Sequence, residues 1–247
     1  MPLTGTLDVA PFTESLPKLA SFDAEPWAIE GVELLHLKFE IDDADVQAPL
    51  PRALHPTIPP VMIFTVATYP DSPVGPFALA QVRVGCRASA LPRGFLTRAY
   101  CDSADAIEAL SSKWGFDAHP GDVRLRRFHD RIEGSVRLDG REIMRATLID
   151  PEPISGGDVQ YVANMHLCRA PDDGKPVLAQ VDPDYTFHRA ERGRPEASFD
   201  ATAWRAHGVE PVWPVAASFT RVDTGFPKLR YILDPDKPAV TGTRRVG

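Results

Sequence analysis

The 247 residues carry 34 acidic and 27 basic side chains, a formal net charge of -7. That balance speaks against nucleic-acid binding, which needs clustered Lys and Arg, and the basic pieces at 124–127 and 244–245 are too short to supply it. No apolar run approaches the ~18 residues that would mark a membrane-spanning helix, the start MPLTGTLDVAPF lacks the pattern of a signal peptide, and three scattered cysteines (Cys86, Cys101, Cys168) form no CxxC pair, so a soluble, cytoplasmic protein with reduced thiols is expected.

The length suffices for one large core, and 25 prolines beside 4 methionines suit many short strands joined by stiff loops. A single domain over 1–247 is expected, with residues 1–30 an N-terminal arm packed on it. Strands are predicted at Val32–Ile41, Val61–Tyr69, Phe77–Val84 and Gly94–Tyr100, with the Pro/Gly turn YPDSPVGP between the second and third. A helix follows: Asp102 or Ser103 caps it, Asp105 adds first-turn negative charge, Ile107, Leu110 and Trp114 repeat at helical spacing, and Gly115 ends it. Arg131–Leu138 and Arg141–Ile149 flank Asp139-Gly140, a two-residue hairpin signal. Strands at Val159–Leu167 and Pro176–Val181, a short helix at Ser198–His207, and strands at Val215–Val222 and Lys228–Leu233 complete the set. The fold class is α+β, predominantly antiparallel β, curved or barrel-like with one central helix.

Motifs for a nucleophile elbow, zinc protease, phosphate loop or dinucleotide site are absent from the sequence, and the seven histidines show no metal-ligand spacing. Neither a metal nor a cofactor is therefore expected. The most unusual segment is Gly115-Phe116-Asp117-Ala118-His119-Pro120-Gly121-Asp122, which holds an imidazole between two carboxylates on a constrained backbone. A carboxylate that orients His119 or raises its basicity would make it a general acid or base near neutral pH. The plain alternative is a turn in which Asp117 and Asp122 bond backbone amides.

From Tyr69 to about Leu148 the chain resembles the acetoacetate decarboxylase superfamily: YPDSPVGPF, GFLTRAYCDSADAI, WGFDAHPGDVRL and IEGSVRLDGREIMRATL occur in that family's order, and NMHLCRAPDDGKPVLAQV resembles a later strand pair. The resemblance implies a curved β-barrel or cone around an apolar cavity, in a homo-oligomer. Family decarboxylases form an imine between a lysine and a ketone, the lysine pKa being lowered by desolvation and a neighbouring cation. The matching positions here carry Ala118 for the lysine and His119 for its neighbour, while Phe64 and Leu79 stand for two glutamates and Gly31-Val32-Glu33 for an arginine region. The cavity walls carried over are Phe64, Phe77, Leu79, Tyr100, Phe116, Ala118 and His166.

Three functions follow from this reading. The first is a lyase-like enzyme acting on a fairly apolar, carbonyl-containing acid without an imine, by decarboxylation, dehydration or hydration, or enol cyclisation. His119 would move the proton, with Asp117 or Asp122, and Arg98 or Arg87 would pair the substrate carboxylate. Alternation along GFLTRAY sets Arg98 on the same face as Leu96 and Tyr100. The second is a non-catalytic small-molecule binder, and the third an acetoacetate decarboxylase with a displaced lysine such as Lys113.

Overall fold

The structure, a computed structural model, describes residues 3–42, 46–88, 91–206 and 208–247. In chain order its strands are β1 (Trp27–Ile41), β2 (His55–Pro56), β3 (Val61–Tyr69), β4 (Phe77–Arg87), β5 (Pro92–Cys101), β6 (Ala118–Pro120), β7 (Asp122–Arg127), β8 (Arg131–Leu138) and β9 (Arg141–Pro153). They continue with β10 (Ala163–Arg169), β11 (Pro176–Val181), β12 (Thr186–Phe199), β13 (Pro211–Phe226), β14 (Tyr231–Leu233) and β15 (Thr243–Arg245); helix α1 spans Ala104–Trp114 and a single turn, α2, Ala239–Gly242.

The strands form one sheet in the order β15-β14-β11-β10-β5-β4-β3-β1-β13-β12-β9-β8-β7, with β2 added beside β4 and β6 beside β5. Pairing is antiparallel except at β5/β10 and β5/β6. The expected closed barrel or cone is not formed, because the hydrogen-bonded path ends at β15 on one side and β7 on the other. Both ends bear exposed arginines, which discourage further strand addition. The sheet nevertheless curls, for Gly134 on β8 lies so close to β3 that a Cβ there would meet Val66 Cγ2 at 2.6 Å.

Each strand has a period of two, so the sheet buries two separate apolar faces. One gathers Leu35, Leu37, Phe39, Phe64, Val66, Val82 and Tyr100 beneath Ile132, Val136 and Met144 of the curled-over strands. The other gathers Leu34, Ala67, Tyr69, Phe77, Leu79 and Cys101 against α1 and its following loop, through Ala106, Leu110, Trp114 and Phe116. All three cysteines are buried and free.

The local signals explain α1. Ser103 Oγ accepts from the Ala106 amide, Asp105 sits in the first turn, and Gly115 stops the helix at φ 70°, a left-handed conformation that costs glycine little. Trp114, fully buried, packs its ring 5.0 Å from both Trp27 and Phe226. The arm is anchored by buried Val9, Leu16 and Leu19. The helix expected over Ser198–His207 is replaced by the end of β12 and a turn at 201–205, where Asp200 Oδ1 accepts from the Thr202 and Ala203 amides. His207 itself lies outside the described residues. No described helix is long and apolar enough to cross a membrane.

Candidate active site

After Gly115 the chain runs extended beside β5, with Ala118 opposite Ala99 and His119 opposite Tyr100. Alternation therefore sends Phe116 and Ala118 to the α1 face and Asp117 and His119 to the opposite one. Asp117 is the hub of an ionic cluster: His119 Nε2 lies 2.9 Å from Oδ1, and Arg98 Nε (3.3 Å) and Arg205 Nη1 (3.5 Å) reach Oδ2. Burial works to raise the Asp117 pKa, but the hydrogen bond and charge of His119 and the charges of Arg98 and Arg205 outweigh it and hold the carboxyl below its ordinary value. Asp117 and Arg205 also edge an apolar recess under the arm, walled by Phe12, Leu16 and Phe95. Asp122 is no part of this cluster; it turns outward and pairs with Arg124 at 2.7 Å.

The carried-over wall residues divide between the faces. Phe77, Leu79, Phe116, Ala118 and fully buried His166 belong to the α1 side, whereas Phe64 and Tyr100 belong to the opposite core. Phe64 packs edge-on against Phe39 and Phe199, and the Tyr100 hydroxyl donates to the Ala203 carbonyl at 2.8 Å. In the ladder Leu79 stands opposite Ala67 and Gln81 opposite Thr65, so Thr65 shares a face with Leu79 and the adjacent Phe64 cannot. Arg98 does share the side of Tyr100, but Leu96 does not, because a bulge at Thr97 offsets the register.

The α1 face holds a polar cavity that pattern reading missed. His36 on β1, Thr65 on β3 and Gln81 on β4 form one cross-strand row, with Arg83 next along β4. Tyr69, Tyr161, Tyr185 and Phe226 wall the space with aromatic rings, and Asn164 faces it from β10. Arg83 is buried; its Nη1 donates to Asn164 Oδ1 and to the Val162 carbonyl at 3.3 Å, and its Nη2 donates to Thr65 Oγ1 at 2.7 Å. Its Nε has no partner, and among the described residues no carboxylate pairs with this guanidinium. Burial lowers the pKa of Arg83, opposed by the three tyrosines.

His36 Nδ1 lies 3.4 Å from Thr65 Oγ1. Arg83 can only donate to that oxygen, which keeps the threonine proton available to Nδ1; in that arrangement the imidazole hydrogen sits on Nε2. Burial, then the charges of Arg83 and Lys38, hold His36 well below its ordinary pKa and therefore neutral. His36 Nε2, Gln81 Oε1 and His166 Nε2 are all buried without a partner. Buried polar atoms are almost always satisfied, so the open groups of His36, Gln81 and Arg83, which all line this cavity, make it a candidate site for a polar ligand or for water.

Two lysines bear on imine chemistry. Lys113 Nζ sits over the Trp27 and Trp114 rings, 5.1 and 5.8 Å from their centroids. Lys38, partly buried, follows His36 on the same face of β1, and burial and the charge of Arg83 lower its pKa. Burial pushes the thiols up, to about 12 for Cys86 and Cys168 and about 11 for Cys101, which makes none of them an activated nucleophile. Among the described residues no cluster of His, Cys, Asp or Glu could hold a metal.

Comparison with known proteins agrees with this geometry at the level of fold. None of the curated proteins matches the chain. Among solved structures, an acetoacetate decarboxylase from Legionella pneumophila superposes with a TM-score of 0.73 at 22% identity, covering 83% of this chain and 86% of that one. The enduracididine biosynthesis enzyme MppR, with the condensation product of pyruvate and imidazole 4-carboxaldehyde bound, gives 0.67 at 15% identity and 90% coverage of both chains. An acetoacetate decarboxylase-like enzyme from Sphingomonas wittichii RW1 gives 0.59 at 17%, covering 83% and 91%. The family profile for acetoacetate decarboxylase (ADC) matches residues 10–223, most of the chain, and the protein therefore belongs to the acetoacetate decarboxylase family.

Proposed function

We propose that the protein is a lyase-like enzyme that binds a short carbonyl-containing organic acid in the Arg83 cavity and activates its carbonyl without forming an imine. The observation that carries this reading is a buried guanidinium with an unpaired N–H and no carboxylate partner among the described residues. An isolated buried cation is costly, and an anionic ligand is the partner that would relieve it. MppR, of the same fold, holds a pyruvate condensation product.

In this reading Arg83 receives the carboxylate and neutral His36 donates Nε2–H to the carbonyl oxygen. As the neighbouring carbon passes its proton to a solvent water, charge builds on that oxygen and the hydrogen bond strengthens. The proton-handling role expected at His119 passes to His36, since His119 faces the other side of the sheet. Pairing the carboxylate with Arg83 stabilises its charged form. This favours enolisation, hydration or dehydration over loss of that carboxylate as CO2. Imine chemistry is disfavoured because Ala118 stands where the family resemblance expects the lysine and Lys113 rests on Trp27. Lys38, the lysine on the His36 face of β1, is the residue on which an adduct would overturn this part of the reading.

Proton NMR in D2O tests the reading with pyruvate, 2-oxobutanoate and acetoacetate. Catalysed exchange of the protons beside the carbonyl, abolished by Arg83→Met and by His36→Phe, is the expected result. Absence of both binding and exchange across the three acids, at protein concentrations that saturate the probe, would overturn it.

A further inference from the structure

The first half of β13 is an apolar strip that no described residue covers. Along Pro211-Val212-Trp213-Pro214-Val215-Ala216 every residue after Pro211 is exposed, with Val212 49%, Trp213 67% and Val215 48% open to solvent. Residues 217–223 of the same strand lie between β1 and β12. The strip has β1 alone, because β12 leaves β13 at the Gly193–Ala217 pair and continues against β9. Five consecutive exposed residues cannot share one face of a strand, so the strip is apolar on both. A strand of that composition is normally covered on both faces. The same end of the sheet adds Ile58, 86% exposed, three residues before Val61, which stands in one cross-strand row with Glu40 and Trp213.

Three features identify what covers the strip. Pro211, Pro214 and the register shifts that leave Val212 and Val215 without counterparts on β1 discourage a further strand from adding through its main chain, so the contact is made by side chains. The strip holds no charged side chain, so the formal net charge of -7 on each chain is not concentrated there. The six residues are also nearly palindromic, Pro-Val-Trp in one direction matching Ala-Val-Pro in the other. About a two-fold axis between Trp213 and Pro214, Val212 of one copy meets Val215 of the other and Trp213 meets Pro214, each contact made twice, as an isologous interface requires.

We propose that this strip is the contact through which two copies of the chain pair about a two-fold axis. Six strand residues span about 20 Å, and the apolar surface they leave open is on the order of 400 Å², a size that marks an interaction site. Each partner of a standard interface buries about 800 Å², an apolar centre within a polar rim, and the strip with Ile58 supplies that centre. The inference does not depend on the reading of the Arg83 cavity.

Trp27, Trp114 and Trp204 are buried, so acrylamide quenching of the intrinsic fluorescence reads the exposure of Trp213. In the full-length wild type, quenching is expected to fall as protein rises from nanomolar to high-micromolar concentration, in step with a monomer-to-dimer change in sedimentation equilibrium. Trp213→Ser removes exposed apolar surface only, and should weaken the dimer by roughly tenfold or more while leaving the urea midpoint unchanged. The wild-type quenching decides alone if that variant does not fold. A wild type that stays monomeric at the highest concentration, with Trp213 quenched throughout, would overturn the proposal. So would a dimer of unchanged affinity in Trp213→Ser, or association that leaves Trp213 open to acrylamide.

Discussion

Replacing Arg83 by methionine separates a ligand-binding arginine from a structural one, because the two roles predict changes of different size. Methionine fills the space of the stem but removes the charge and every N–H. Against stability stand the lost bonds to Thr65, Asn164 and the Val162 carbonyl, where each buried group left unpaired costs about 1–3 kcal/mol. In favour stands the removal of a desolvated cation with no counter-ion, an effective relief of several kcal/mol. The two nearly cancel, so urea denaturation should place the variant within about 2 kcal/mol of wild type. Ligand binding has no such compensation. Losing a charge-assisted contact to a carboxylate is worth about 3 kcal/mol, or roughly a hundredfold in Kd. The assay pairs urea titration with calorimetric titration of pyruvate on the same preparation. A variant that loses about 3–5 kcal/mol of stability yet binds pyruvate normally would show that the arginine only braces the strands.

Reaction with borohydride in the presence of pyruvate or acetoacetate should leave the intact mass unchanged; a reduced adduct on Lys38 would end the imine-free reading. Stability should fall as pH drops from about 6.5 toward 4, because His166 titrates at about 4 in the folded chain against 6.5 ordinarily, so the unfolded state takes up its proton first. That single shift corresponds to about 3 kcal/mol, lost across the same window, with His36 acting in the same direction; urea midpoints measured against pH check it, and His166→Phe should flatten the curve. Asp117→Asn strands Arg98, Arg205 and His119 without their shared anion and should cost about 1–3 kcal/mol in thermal or urea unfolding. Binding of keto acids should survive that change, since Asp117 lies on the far face; a large loss would join the two clusters into one site.

Much of the scaffold was legible because the strands carry their own punctuation. Val61–Tyr69 and Pro176–Val181 end where pattern and turn residues say they should, and Ser103 and Gly115 bracket the helix as capping chemistry requires. β12 was missed because TFHRAERGRPEASF is polar on both faces, and β7, DVRLRR, reads as a charged loop. The cavity escaped for a different reason. Gln81 and Arg83 look like the polar side of an alternating strand, yet FALAQVRVGC is apolar on both of its faces. A strand of that kind is covered on both sides, so any polar residue within it is buried and needs a partner. Phe64 and its neighbour Thr65 face opposite cores, because a single step along β3 is all that alternation allows before a side chain changes faces.

The carbonyl of Trp114 belongs to the last turn of α1, where no amide of the helix is available to it. His166 supplies the missing hydrogen, and in doing so fixes which of its own nitrogens is bare. The end of a helix thus acts as a tautomer selector for a ring in the core. Were α1 to run on past Gly115, a backbone amide would claim that carbonyl, and the imidazole could shift its proton to Nε2 and present a donor where it now presents a lone pair. The polarity of that buried nitrogen would then invert with every residue packed around the ring unchanged. The place where this helix stops is accordingly felt in the core as well as at the surface, through one hydrogen position on a buried ring.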